Sequence, residues 1–167
     1  MKLVFLRNKD SLAKNYHLLY DKENSLERME YMKKSVLKEE FRSEIEKVWN
    51  AVTDNRNYQW RSDISNVEWI DIGRSFVEKA KNGIKTEFYI TNKISCKVYE
   101  MDFRNKNLKG HFCGQFERIP SGGTQLILTE TIQFRSIWVA VAAGITGALK
   151  RMQKNYVTDL KRFLAET

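Results

Sequence analysis

The sequence predicts an α+β fold in which a curved antiparallel sheet is closed by one long C-terminal helix. Three observations carry this expectation. From residue 64 to residue 135, apolar and polar residues alternate, the period of strands with one buried face. Residues 136–149 then carry no charge. Residues 150–164 follow as an amphipathic helical pattern. A helix that is apolar all round must be surrounded by protein or lipid. The uncharged stretch is shorter than the roughly 20 residues a bilayer span needs. A long meander exposes an apolar face that needs a cover, and the uncharged helix is the available one.

Residues 10–34 read as helical. Asp10 or Ser11 can cap, Leu12, Tyr16 and Leu19 recur at helical spacing, and residues 21–24 break the pattern. Residues 1–32 are therefore expected to be a helical appendage, with residues 33–167 as the globular domain. Whether residues 1–28 reflect the choice of start site is left open by the sequence. Residues 36–42 read as the first strand. Ser43 and Glu46 form a capping box, in which Ser43 takes a helical amide and Glu46 reaches back. Ile45, Val48, Trp49 and Val52 share one face of the short helix that follows. Tyr58-Gln-Trp60 reads as a second very short helix or a turn.

The alternating region divides at its turn residues. Residues 67–71 and 75–81 read as strands around a turn at 72–74. Asn82-Gly83 marks a hairpin, because both residue types tolerate positive φ. Strands are expected over 84–91, 94–103, 108–119 and 124–134. With the first strand this makes seven antiparallel strands, six of them a meander.

Composition bounds the function. A chain of 167 residues with 42% hydrophobic and 12% aromatic content is globular and can bury a real core. Cys96 and Cys113 are the only cysteines and read as free thiols. The N-terminal apolar run is too short for a signal peptide and lacks a small-residue cleavage site, so a cytoplasmic location is expected. The net charge of +8 raises nucleic acid as a partner. The lysines are interleaved with Glu and Asp, however, and no basic-aromatic module is present, so the pattern argues against it. No HExxH, P-loop or GxGxxG occurs, and no metal, nucleotide, flavin or other cofactor is expected. Oligomeric state stays open, a homodimer included.

The segment Val48-Trp49-x-x-Val52-Thr53-Asp54-x-x-x-Tyr58-x-Trp60 resembles the entry segment of the START-like or SRPBCC superfamily, which includes polyketide cyclases and the birch-pollen allergen. The run from Asn107 to Phe116, then Gly123-Thr124 and Thr129-Glu130, looks like bacterial members. Tyr156-x-x-x-Leu160-x-x-x-Leu164 is similar to their closing helix. The resemblance covers residues 33–166. It implies the helix-grip fold: a curved seven-stranded sheet wrapped around a long C-terminal helix, with two short helices between the first two strands. It also implies a pocket between sheet and helix. The superfamily has no universal catalytic motif, and its members include carriers, sensors and cyclases, so fold does not give function.

Alternation tells which side chains enter that space. On the last strand Leu126, Leu128, Ile132 and Phe134 share a face with Glu130. On the preceding strand Phe112 and Phe116 share one with Gly110 and Gly114, whose missing side chains leave volume or let the strand bend. Phe88 does the same earlier, and Ile145, Leu149, Met152 and Tyr156 line one helix face, with Gly144 and Gly147 as small surfaces. The expected ligand-lining residues are thus Phe88, Phe112, Phe116, Leu126, Leu128, Glu130, Ile132, Phe134, Ile145, Leu149 and Met152.

Glu130 is the sharpest candidate, since a carboxylate on an apolar inward face has a raised pKa unless paired. Arg118 is the partner the pattern offers. Glu39 and Glu78 show the same inward placement. Alternation turns His111 outward, with Cys113 on its face, and no third partner completes a catalytic set. The expected function is binding of a small hydrophobic ligand such as a lipid, polyketide or aromatic metabolite. The alternative is a cyclase/aromatase-type enzyme in which Glu130 or His111 moves protons.

Overall fold

The computed structural model describes residues 32–136 and 145–166. Seven strands form one curved antiparallel sheet: β1 (Met32–Phe41), β2 (Ile64–Asp71), β3 (Ser75–Ala80), β4 (Lys85–Ile94), β5 (Val98–Arg104), β6 (Leu108–Arg118) and β7 (Thr124–Phe134). Their spatial order is β1-β7-β6-β5-β4-β3-β2, so β2 to β7 run as a meander and β1 pairs with the last strand. Helix α1 (Ile45–Thr53) follows β1, and α2 (Ile145–Phe163) follows the sheet. β6 and β7 pair without a shift, from Leu108 opposite Phe134 to Arg118 opposite Thr124. Irregularities between Ile90 and Asn92, and at two places along β2, add the local bending that bulges produce.

One sheet face is apolar and carries α1 and α2. Ile45, Val48, Trp49 and Val52 of α1 are all buried, as their spacing requires. Trp49 meets Phe116 and Tyr99 edge-on, with centroids 5.0 and 6.3 Å apart. With Phe41, Leu126, Leu128, Val157, Leu160 and Leu164 they form the larger apolar cluster. A second, smaller cluster holds Phe103, Ile132, Phe134 and Leu149.

The structure departs from the sequence reading in several places. Residues 32–34 belong to β1, not to a helix: Met32, Lys33 and Lys34 pair with Gln133, Ile132 and Thr131. The free edge of β7 satisfies their backbone groups, and two adjacent lysines offer a helix no apolar face. The rest of the expected appendage lies outside the described residues. The capping box does not form. The N-cap is Glu44, without a side-chain hydrogen bond, and Glu46 pairs with Arg118. The amides of Ser43 and Arg42 instead donate to the Glu166 carboxylate at 2.7 and 3.0 Å. Burial opposes that carboxylate, but these donors outweigh it and hold its pKa below the usual range. Residues 54–63 contain turns and no second helix. This segment is held by side chains: Asp159 accepts the Ser62 amide at 2.7 Å. Ile94 ends β4 and does not open β5, because Cys96 turns the chain with φ of 53°. In the β3–β4 turn only Gly83 takes positive φ; Asn82 contributes its side-chain oxygen, which accepts the Ile84 amide at 3.1 Å.

Candidate functional site

Two apolar clusters meet between sheet and helix across a layer of polar side chains. Strand β7 shows the sequence of layers most clearly. Phe134 and Ile132 belong to the smaller cluster, Glu130 comes next, and Leu128 and Leu126 belong to the larger. Helix α2 repeats it one turn at a time: Leu149, then Gln153, then Val157, Leu160 and Leu164. Strand β1 adds Ser35 to the polar layer and Leu37 and Phe41 below it.

Glu130 stands opposite Ser35 on β1 and opposite Phe112 on β6. Among the described residues it has no hydrogen-bond or ion-pair partner. Burial pushes its pKa up to about 7; Arg61 opposes this and Glu78 reinforces it. Arg118, the expected partner, is not near it. Arg118 is the last residue of β6, where it meets Glu46 on the exposed side of α1. Ser35 Oγ donates to Gln153 Oε1 at 2.7 Å. That leaves Gln153 Nε2 as a buried donor with no partner among the described residues. Trp69 Nε1 on β2 is a second such donor.

The other inward carboxylates, Glu78 and Glu39, are paired. Arg61 reaches from the loop after α1 to Glu78 at 2.5 Å and Asp63 at 2.9 Å, and it lies 5.4 Å from the Tyr156 ring centroid. Burial works against the guanidinium charge, but the two carboxylates outweigh it and raise the Arg61 pKa. Burial also pushes the Glu78 carboxyl up, with Arg61 opposing. Burial raises the Tyr156 hydroxyl, and it pushes Tyr99, which accepts from Asn55 at 2.8 Å, up to about 12. Glu39 pairs with Lys161 of α2.

The expected ligand-lining residues fall into groups. Phe116, Leu126 and Leu128 are buried in the larger cluster against α1 and α2. Ile132, Phe134 and Leu149 form the smaller cluster. Phe88 and Phe112 pack against both clusters yet stay only partly buried, as does Glu130. Met152 is a correction: it is 59% exposed and points away from the sheet. The helix turns Gln153 inward in its place, because Leu149, Gln153, Val157, Leu160 and Leu164 are the residues that share the buried stripe. The Ile145 side chain and Gly144 lie outside the described residues. Gly147 meets nothing within 4 Å and does not set room at the interface. Gly110 does not open volume either, because the Phe103 ring fills the space beside it. Sequence reading placed Tyr156 on the inward helix face but missed Ser35, Gln153 and Arg61. The signal for Gln153 was a lone amide interrupting an apolar stripe.

His111 faces outward, as alternation required. Its Nδ1 lies 2.8 Å from Asp102 Oδ1 on the outer sheet face. Cys113 shares that face, but burial and the neighbouring Glu100 push its thiol up, which suppresses the nucleophilic thiolate. A groove of about 660 Å³ opens there, lined by Tyr89, Asp102, Arg104 and His111. Arg104 pairs with Glu87 at 2.8 Å and His111 Nδ1 contacts Asp102, and Lys109 also lines the groove. The buried donors without a partner among the described residues, on Gln153 and Trp69, lie on the inner face.

No family description and no curated protein sequence matches this chain. Solved structures share its architecture. A conserved protein from Geobacillus kaustophilus superposes with a TM-score of 0.69 at 14% identity, over 80% of this chain and 96% of its own. Ara h 8.0201 does so with a TM-score of 0.61 at 12% identity, over 81% of this chain and 99% of its own. The fold is a helix grip. DynU16, from the dynemicin biosynthetic locus, contains the same helix grip in 47% of its chain, with a TM-score of 0.64 at 14% identity over 79% of this chain. At these identities the likeness establishes the fold alone. No described helix of this helix-grip chain is long and apolar enough to cross a membrane.

Proposed function

We propose that this protein binds a small hydrophobic ligand between the inner sheet face and α2. The observation that supports this is the partial exposure of Phe88, Phe112 and Glu130, inward-facing residues flanked by two apolar clusters. Aromatic rings on a core face are ordinarily sealed by neighbours, so their accessible edges leave apolar surface for a ligand. Burial of that surface contributes about 25 cal/mol per Å². The fold supports the reading, since helix-grip proteins typically hold hydrophobic ligands.

The test is a titration of the purified chain with N-phenyl-1-naphthylamine, alongside native mass spectrometry of freshly prepared protein. Saturable binding is expected, weakened at least about fivefold in Phe112→Ala, the equivalent of a lost apolar contact. Absence of saturable binding, with no co-purifying apolar mass, would overturn the proposal.

A cyclase/aromatase-type activity is the second reading. Glu130 favours it, because a carboxyl group near pKa 7 exchanges protons most readily at neutral pH. An enzyme of this kind should keep ligand affinity but lose turnover in Glu130→Gln. A pure carrier has no turnover to lose.

A further inference from the structure

We infer that the ligand held between sheet and α2 is an apolar molecule bearing a hydroxyl group, which Gln153 and Glu130 recognise together. This rests on the ligand-binding reading above and names the chemistry that site selects. Gln153 is 3% exposed, and Ser35 Oγ occupies its Oε1, which fixes the amide and leaves Nε2 without an acceptor among the described residues. Ser35 is the direct cross-strand partner of Glu130. Such partners on one face have Cβ atoms about 4.5–5.5 Å apart. The fixed amide and the unpartnered carboxyl therefore belong to one small patch, with Phe112 on its other side.

That patch offers one donor and one acceptor. A hydroxyl complements both at a single oxygen, accepting from Nε2 and donating to Glu130. A methyl group in the same place would leave both protein groups unsatisfied. A carboxylate would face Glu130 with Glu78 close enough to act on it. A bound water satisfies the same two groups and is the competing occupant.

The full-length chain, loaded with N-phenyl-1-naphthylamine, is displaced with 2-naphthol and with 2-methylnaphthalene, which exchange hydroxyl for methyl. 2-Naphthol should bind at least about tenfold more tightly, as sites built around a substrate hydroxyl do. Gln153→Met and Glu130→Leu should each reduce that ratio to below about threefold while reporter affinity changes by less than about threefold. Should either variant unfold, Ser35→Ala, which frees the amide, must itself lower the ratio at least about threefold. Equal binding of the two probes to the unaltered chain means that the patch holds only water; the inference then fails while the ligand site stands. A preference that survives in the variants assigns the hydroxyl to other residues and also overturns it. A reporter that does not bind at all removes the ligand site and this inference together.

Discussion

The two ends of the sheet–helix interface are built differently. At the end near α1, Val48, Tyr99, Leu126 and Leu160 are wholly buried, and the aromatic rings of Trp49, Tyr99 and Phe116 lock edge to face. Toward the start of α2, the buried apolar residues among those described are Phe103, Ile132, Phe134 and Leu149, and Phe88, Leu108 and Phe112 beside them stay partly exposed. The first end holds the fold together; the second retains accessible apolar surface next to unpartnered polar groups. Packing thus differs along one helix, tight where the fold is anchored and looser at the proposed ligand site. Leu160→Ala should cost about 3–5 kcal/mol, because a close-packed site relaxes little around a cavity. Leu149→Ala, in the looser cluster, should cost about half as much, since accessible space already adjoins it. Urea unfolding of both variants measures the contrast, and equal losses would mean that the upper end is packed as tightly as the lower.

This division was only partly legible in the sequence. Strand alternation placed the apolar inward residues of β6 and β7 correctly, because a period of two leaves no freedom once one face is buried, but it also put Arg118 inward, where the structure leaves it exposed against Glu46. A helix is less forgiving. Met152 and Gln153 are neighbours, and a rotation of one residue, about 100°, exchanges which of them faces the sheet. Hydrophobicity favoured Met152; the observed stripe of Leu149, Gln153, Val157 and Leu160 chose the amide. The ion pairs were illegible for another reason. Arg61–Glu78 and Arg118–Glu46 join residues far apart in sequence through a loop and a helix end, and no local pattern encodes either.

The polar layer itself is tested through pH. The Glu130 pKa is raised from an ordinary 4.5 to about 7, so the folded chain binds this proton more tightly than the unfolded chain. The contribution of Glu130 to stability is then greatest below about pH 4.5, is lost as pH rises through 7, and is gone above it. The charged groups that act on Glu130 are Arg61, which opposes the shift, and Glu78, which reinforces it. Glu130→Gln should flatten this slope. It should also stabilise the chain at pH 8 by at most about 3 kcal/mol, reduced by whatever water reaches the partly exposed carboxyl. Thermal unfolding from pH 5 to pH 8 reads the difference. Parallel curves for the two proteins would place Glu130 in an ordinary solvated setting and remove the contrast between the two ends.

The smallest effect distinguishes two glycines on one strand. At Gly110 a Cβ would lie 2.4 Å from the Phe103 ring and 2.4 Å from the Thr131 carbonyl oxygen. The ring can shift but the β7 backbone cannot without breaking the ladder, so Gly110→Ala should cost about 2 kcal/mol. It should also push Phe103 toward the accessible space beside Phe88, its neighbour at 5.7 Å, and weaken apolar ligands. At Gly114 the nearest atoms are the Phe112 and Phe116 rings at 3.4 and 3.5 Å, ordinary contact distances. Gly114→Ala should change stability by less than about 1 kcal/mol, since a strand also gains from losing a glycine. Urea midpoints for the pair decide it. If Gly110→Ala proves as mild as Gly114→Ala, Phe103 moves freely in its cluster, and the upper end is looser still than its buried side chains imply.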